Sequence, residues 1–255
     1  MSKKILVTND DGIDSKGIAS LIEVAKTFGD VVVVAPDKPQ SGQGHAITLV
    51  EPIRVEAYTH FNNVTAYKCS GTPVDCVKMA KSVLFKNEKI DLCVSGINHG
   101  SNASLNIIYS GTMSAAMEAS LYKINSIGFS LLDYASDANF KASQHYAAIL
   151  IKKMLAYEGN AGKLLNVNIP KLTTEEIKGI KMCKQGKGGW LEQFQKGEDP
   201  RGGAYYWMGG TFENHHSHPE SDLWALEHSY VSVVPCQHDL TDYLTLKELN
   251  HFENI

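Results

Sequence analysis

Val31 to Ala35 is an unbroken apolar run of four valines and an alanine, closed by Pro36. A strand with no polar alternate residue has no face to give to water. It must lie inside a sheet covered on both sides, the usual setting of a parallel strand. The neighbouring segments supply the covering layers. Residues 4–8 form a first short apolar strand, and from Ser15 onward Ile18, Leu21, Ile22, Ala25 and Phe28 recur at the helical period. Val64 to Cys69 is a further strand. Thr72-Pro73-Val74-Asp75 opens a helix, with Thr72 as cap, Pro73 at the first helical position and Asp75 returning to the cap. Val77, Ala80, Val83 and Leu84 are its buried face. Then follow a strand from Asp91 to Ser95, a glycine- and asparagine-rich loop to Ser110, and a helix over 112–121. A strand over 126–130, a helix over 138–156 and a strand over 164–169, ended by Pro170, complete this half. Residues 46–50 and 53–58 alternate around Glu51-Pro52 and are expected to form a hairpin. The alternation predicts an α/β fold, a mostly parallel sheet with helices on both faces.

After Pro170 the pattern thins. Ile177 to Cys183 and Ala204 to Met208 read as strands, separated by a stretch rich in Gly, Gln, Lys and Asp. Residues 209–221 hold three histidines and few apolar residues. A short helix over 223–228, a strand over 230–234 ended by Pro235, and a last element from Thr241 follow. The chain therefore divides into a core, 1–170, and an extension, 171–255, that is too poor in apolar residues to be an independent domain and reads as arms or hairpins. The 24 Lys and Arg against 28 Asp and Glu form no basic stripe, which argues against a nucleic-acid duplex as partner. No apolar run approaches the eighteen residues of a membrane span, and the amino terminus lacks a signal-peptide pattern. The five cysteines show no CxxC and are expected to be reduced thiols in a cytoplasmic protein.

Chemistry concentrates where strands should end. The first strand stops at Asn9-Asp10-Asp11-Gly12. Adjacent carboxylates at the carboxyl edge of a sheet favour a hard divalent cation, although acidic residues also cap turns. The loop after the second strand holds Ser41 and His45. Ser41 is either an oxygen ligand or anion donor, or part of a surface turn; His45 is a general acid, a substrate contact or a solvated loop residue. The loop after the strand from Asp91 holds Asn98, whose amide oxygen suits such a cation, and His99, expected to line the cleft rather than bind metal. Ser110-Gly111-Thr112 opens a helix of small residues and predicts a phosphate cradle. Walker A, GxGxxG and GxSxG patterns are absent, which disfavours a P-loop nucleoside triphosphatase, a nicotinamide enzyme and a serine hydrolase. The combination predicts hydrolysis of a phosphomonoester, with a divalent ion lowering the pKa of the attacking water.

These segments resemble the SurE family of stationary-phase survival proteins, described as 5′/3′-nucleotidases or acid phosphatases. The likeness is carried by Ile5 to Gly12, Gly71-Thr72-Pro73-Val74-Asp75-Cys76-Val77, Ser95-Gly96-Ile97-Asn98 with Gly100 and Asn102, and Tyr109-Ser110-Gly111-Thr112 with Ala115-Ala116-Met117-Glu118. Leu165 to Pro170, Asp199 to Gly202 and Tyr230 to Pro235 continue it. The resemblance implies a Rossmann-like core and metal ligation by Asp10, Asp11, Ser41 and Asn98, with Mg²⁺ or Mn²⁺ as cofactor and Ca²⁺ able to occupy the site. It implies nucleoside monophosphates as substrates. It also implies carboxy-terminal hairpins and a helix exchanged between subunits, giving a homodimer or homotetramer. Within that frame Asp10 and Asp11 are the catalytic pair, Asp11 assisting the attacking water. Asn98, Ser110, Gly111, Thr112, His45, His99 and Asn102 are the expected substrate contacts. The chain departs from the family at Gln40, where an arginine is common, at Ser101-Asn102-Ala103-Ser104, and at Asn106, where an aspartate is common. Competing readings are a broader metabolite phosphatase, an exopolyphosphatase, and a non-enzymatic nucleotide-binding oligomer.

Overall fold

The computed structural model describes residues 2–216 and 218–253. Its elements in chain order begin with β1 (Lys4–Thr8), α1 (Lys16–Ala25), β2 (Asp30–Pro36), β3 (Val55–Tyr58), β4 (Thr65–Cys69) and α2 (Pro73–Met79), which runs into a π-helical turn, Ala80–Leu84. Next come β5 (Leu92–His99), α3 (Asn106–Tyr109), α4 (Gly111–Leu121), β6 (Asn125–Leu131), α5 (Lys141–Leu155) and β7 (Leu164–Ile169). Then come β8 (Ile180–Met182), β9 (Lys187–Glu198), β10 (Ala204–His216), α6 (Asp222–Glu227), β11 (Val231–Cys236), α7 (Tyr243–Glu248) and a 3₁₀ turn, Leu249–Glu253.

The main sheet has the order β3-β4-β2-β1-β5-β6-β7-β11-β8. Strands β4 to β7 in that order are parallel, as the apolar run in β2 predicts. Alternate residues of β2 go to opposite layers. Val31, Val33 and Ala35 join a core with Ile18, Leu21 and Ile151, whereas Val32 and Val34 join one with Val77, Ala80 and Ala119. Helices α1 and α5 thus cover one face, and α2 and α4 the other. The Thr72 capping box forms as expected: Thr72 Oγ1 accepts the Asp75 N–H at 3.1 Å and Asp75 accepts the Thr72 N–H at 2.9 Å.

Three expectations need correction. Residues 46–50 are not a strand. The Thr48 N–H and the Ala46 carbonyl are taken by the α2 cap, through Asp75 at 3.1 Å and Thr72 Oγ1 at 2.8 Å, and β3 pairs antiparallel with β4 instead. Pro235 does not end its strand; it pairs with Leu165. The neighbouring strand β8 reaches only Val233, so the missing N–H of Pro235 faces no partner. Finally, the region beyond 170 is more than arms, because β8 and β11 complete the main sheet beside β7. The arm proper is the β9–β10 ribbon, a separate two-stranded sheet. Among the described residues no helix is long and apolar enough to cross a membrane, and the five cysteines are free thiols.

Candidate active site

From β1 the chain first builds outward through β2 and β4, then returns to the other side with β5. The crevice above the carboxyl ends of β1 and β5 is therefore the topological switch point, where open α/β sheets hold ligands. Asn9 makes the turn there rigid. Its Nδ2 donates to the Gly12 carbonyl at 2.8 Å and to Ser15 Oγ at 2.9 Å, and Ser15 in turn caps α1.

Asp10 is 4 % exposed. The start of α4 lies against it: the Thr112 hydroxyl donates to Asp10 Oδ1, and a Cβ at Gly111 would stand 2.7 Å from Asp10 Cβ. Only glycine permits that approach. Burial pushes the Asp10 carboxyl up, the charge of Asp11 pushes the same way, and the hydroxyl and N–H of Thr112 oppose them; the pKa rises from 3.8 to about 6. Half-buried Asp11 accepts the His99 N–H at 3.2 Å. Burial raises its pKa as well, against the His99 N–H and ring. Among the described residues no Lys or Arg forms an ion pair with either aspartate.

Asn98 has its amide pinned. Nδ2 donates to the carbonyls of His99 at 3.3 Å and Gly100 at 3.0 Å, which leaves Oδ1 with no hydrogen bond among the described residues. The Asn98 backbone is placed by Gly96, at φ +123°, where a Cβ would strike the Phe129 carbonyl at 2.4 Å. Asp10, Asn98 and Ser41 line one cleft of about 320 Å³, together with His99, Asn102 and Ser110. Gln40 holds the Ser41 loop to β1, its N–H donating to the Asp10 carbonyl at 2.8 Å. Among the described residues no group of three or more His, Cys, Asp or Glu is arranged so that it could hold a metal ion by itself. The expected ligands that line the cleft are all oxygen donors, the Asp10 carboxylate, the Asn98 amide and the Ser41 hydroxyl; Asp11, the next residue after Asp10, does not line it. That set fits Mg²⁺, Mn²⁺ or Ca²⁺ and does not suit zinc.

The other expected contacts divide. His99 lines the cleft and packs edge-on against Phe140 at 5.2 Å. Asn102 is held by its neighbours: Nδ2 donates to Ser130 Oγ, its N–H to Asn168 Oδ1, and its carbonyl accepts Asn166 Nδ2, each at 2.8 Å. Ser110 lines the cleft, but its Oγ is occupied in capping α4 through the Met113 N–H at 3.0 Å. Thr112 is fully buried and its hydroxyl is committed to Asp10, so the expected direct phosphate contact gives way to support of that carboxylate. His45 does not line the cleft. Its Nε2 lies 3.0 Å from Glu118 Oε2, and Glu118 Oε1 takes the Lys78 ammonium at 2.6 Å. Burial raises the Glu118 carboxyl, but bonds from His45 and Lys78 outweigh it and hold the group below its usual range. This bridge clamps the Ser41 loop to α2 and α4. Glu118→Gln is expected to lower stability by about 1–3 kcal/mol in urea unfolding at pH 7, and His45→Ala by less, because His45 is the more exposed partner.

A model of the family described as survival protein SurE matches residues 5–192. The chain belongs to the SurE family. The 5′-nucleotidase SurE of Flavobacterium johnsoniae is 52 % identical over 247 residues, covering 96 % of this chain and 95 % of that one. The 5′-nucleotidase SurE of Cytophaga hutchinsonii is 51 % identical over 251 residues, covering 98 % and 97 %. The crystal structure of the SurE protein from Aquifex aeolicus superposes with a TM-score of 0.84 at 40 % identity, covering 98 % of this chain and all of that one. Within this SurE fold the cleft also takes residues that the sequence reading did not put there: Tyr109, Tyr134 and Trp190. Trp190, on β9, reaches the cleft of its own chain and donates Nε1 to Asn106 Oδ1 at 2.8 Å. A tryptophan isolated in a polar, glycine-rich stretch was the available signal.

Proposed function

We propose that the chain is a divalent-metal-dependent phosphomonoesterase that hydrolyses nucleoside 5′- and 3′-monophosphates to nucleoside and phosphate. One observation carries the reading. A buried carboxylate is held beside a second one at a sheet switch point, with an unbonded amide oxygen in the same cleft and no cationic side chain paired to it. The SurE relatives that bear the name 5′-nucleotidase support the substrate class. Asp10, Asp11, Ser41 and Asn98 would hold the ion. When bound, it supplies charge neutralisation at the phosphoryl oxygens and acidifies water. Thr112 and Gly111 fix Asp10, so the carboxylate needs no reorganisation during the reaction. Asp11 uses Oδ2 to hold the His99 N–H; Oδ1 accepts a proton from the attacking water. His99, which lines the cleft, would donate from its imidazole to the leaving oxygen. The polar cleft binds the phosphoryl group, and the remainder of the substrate extends past Asn102 and Tyr109.

The assembly we propose is a homodimer or homotetramer in the cytoplasm. Phe194, Tyr206 and Trp207 on the β9–β10 arm are each more than half exposed, as are Leu240, Leu244 and Phe252 in the tail. Such surface calls for a partner, and exchange of arms between copies would cover it. The free thiols fit a reducing compartment. The test is a substrate panel with Mn²⁺: 5′-AMP, 3′-AMP, ribose 5-phosphate and polyphosphate. Faster release from the nucleotides is expected. Release from polyphosphate alone, or from none, would overturn the reading.

A further inference from the structure

The cleft does not end at the phosphate-binding residues. A second cavity of about 430 Å³ adjoins it, and Tyr109 and Trp190 line both. The remaining lining is Glu192, Met208, Gly209 and Gly210. The register explains the shape. Trp190 and Glu192 are two apart on β9, and Gly210 pairs with Glu192, so no side chain stands opposite Glu192 on that face. The ribbon offers bare backbone at Gly209 and Gly210 between a thioether and an indole.

Trp190 is 42 % exposed, yet its ring is not free. Asn106 holds Nε1 at 2.8 Å, and Phe212 packs edge-on at 5.6 Å and 72°. Two contacts thus fix the plane of a half-exposed indole and leave surface of it available. Tyr109, 59 % exposed, is placed by the same segment that caps α4: its carbonyl accepts the Gly44 N–H at 3.1 Å, and Ser110 follows it directly. One wall is therefore tied to Asp10 through α4 and the other to the arm. Two oriented aromatic rings flanking a cavity that opens from a phosphoryl site suit a flat heteroaromatic ring joined to a phosphate by a short polar spacer.

We propose that Tyr109 and Trp190 are the walls of a nucleobase subsite, with Glu192 accepting hydrogen bonds from amino and ring N–H groups of the base. This rests on the phosphomonoesterase reading above and adds to it the residues that separate nucleotides from base-free esters. Base–aromatic stacking predicts little choice among bases, and Glu192 supplies what choice there is.

The test compares 5′-AMP with ribose 5-phosphate, which lacks the base, in the full-length protein with Mn²⁺. Trp190→Ala should lower kcat/KM for 5′-AMP roughly ten- to hundredfold more than for ribose 5-phosphate, chiefly through KM. Trp190→Phe should restore most of that ratio, and Glu192→Gln should alter the order among the four nucleoside 5′-monophosphates. An equal loss on both substrates in Trp190→Ala would make the indole a support of the cleft and overturn the subsite. Calorimetric titration with adenosine separates the two claims. Trp190-dependent adenosine binding without any phosphate release would sink the hydrolase reading and keep the subsite. Phosphate release with adenosine binding that ignores Trp190 would do the reverse.

Discussion

Asp10→Asn is expected to make the chelated protein more stable at pH 8 while removing metal-dependent hydrolysis. The native pKa of Asp10 is raised from 3.8 to about 6, first by burial and then by Asp11. A carboxyl with a raised native pKa binds more protons folded than unfolded between those values, so unfolding free energy falls as pH rises through that window. The favourable contribution is fully present below about pH 4 and lost above about pH 6. The difference is worth about 3 kcal/mol as an upper figure. Asparagine is neutral at every pH, keeps an acceptor for the Thr112 hydroxyl, and should recover part of that amount. Bound cation offsets the same charge in the wild type, so Mn²⁺ should raise Tm more at pH 8 than at pH 5, and little in the variant. Hydrolysis should fall at least about a hundredfold, since charge on the ligand set is lost. Thermal unfolding in EDTA at pH 5 and pH 8, with a parallel phosphate-release assay, measures both. Normal activity in a stabilised variant would remove Asp10 from the site.

Gly111→Ala should act in the opposite sense on stability and in the same sense on activity. Alanine at the first turn of a helix is ordinarily neutral or favourable by up to about 1 kcal/mol. Here the new Cβ would meet Asp10 Cβ at 2.7 Å and Oδ2 at 3.0 Å, and Asp10 cannot retreat because Thr112 grips its other oxygen. Overpacking of this kind costs about 1–3 kcal/mol. Displacing a catalytic carboxylate by about an ångström costs on the order of a hundredfold in rate. Urea unfolding and steady-state kinetics on the one variant therefore set helix propensity against contact. A more stable, fully active Gly111→Ala protein would mean that α4 does not press on Asp10.

What the sequence displayed and what it hid follow from the range of the interactions. Val31 to Ala35 announced a doubly covered strand because every residue in it needed a dry neighbour. The Thr72 box was legible because cap and partner lie three residues apart. Asp10, Ser41 and Asn98 could be grouped because each belongs to the carboxyl end of a strand or the loop after it at the same sheet edge, and they line one cleft; β5 runs on past the expected Ser95 to His99, so Asn98 is still paired in the sheet. The role of Thr112 was misread because its hydroxyl serves a residue 102 positions away, and a hydroxyl at a helix start looks the same whether it faces phosphate or carboxylate. The β9 strand was missed because most of its residues are exposed, leaving no apolar period to detect. The place of β8 and β11 in the main sheet also decides how the arm can be removed. Truncation after Pro170 would strip two strands from the core; deleting 191–209 removes the outer part of the arm and is the cleaner test of association.

Phosphate release from 5′-AMP by the purified full-length protein, before and after exhaustive chelation and then with Mn²⁺ restored, tests the central claim most directly. The account predicts release that stops on chelation, returns with Mn²⁺ or Mg²⁺, and does not return in Asp10→Asn. Undiminished release in chelator, or equal rescue of Asp10→Asn, would contradict it.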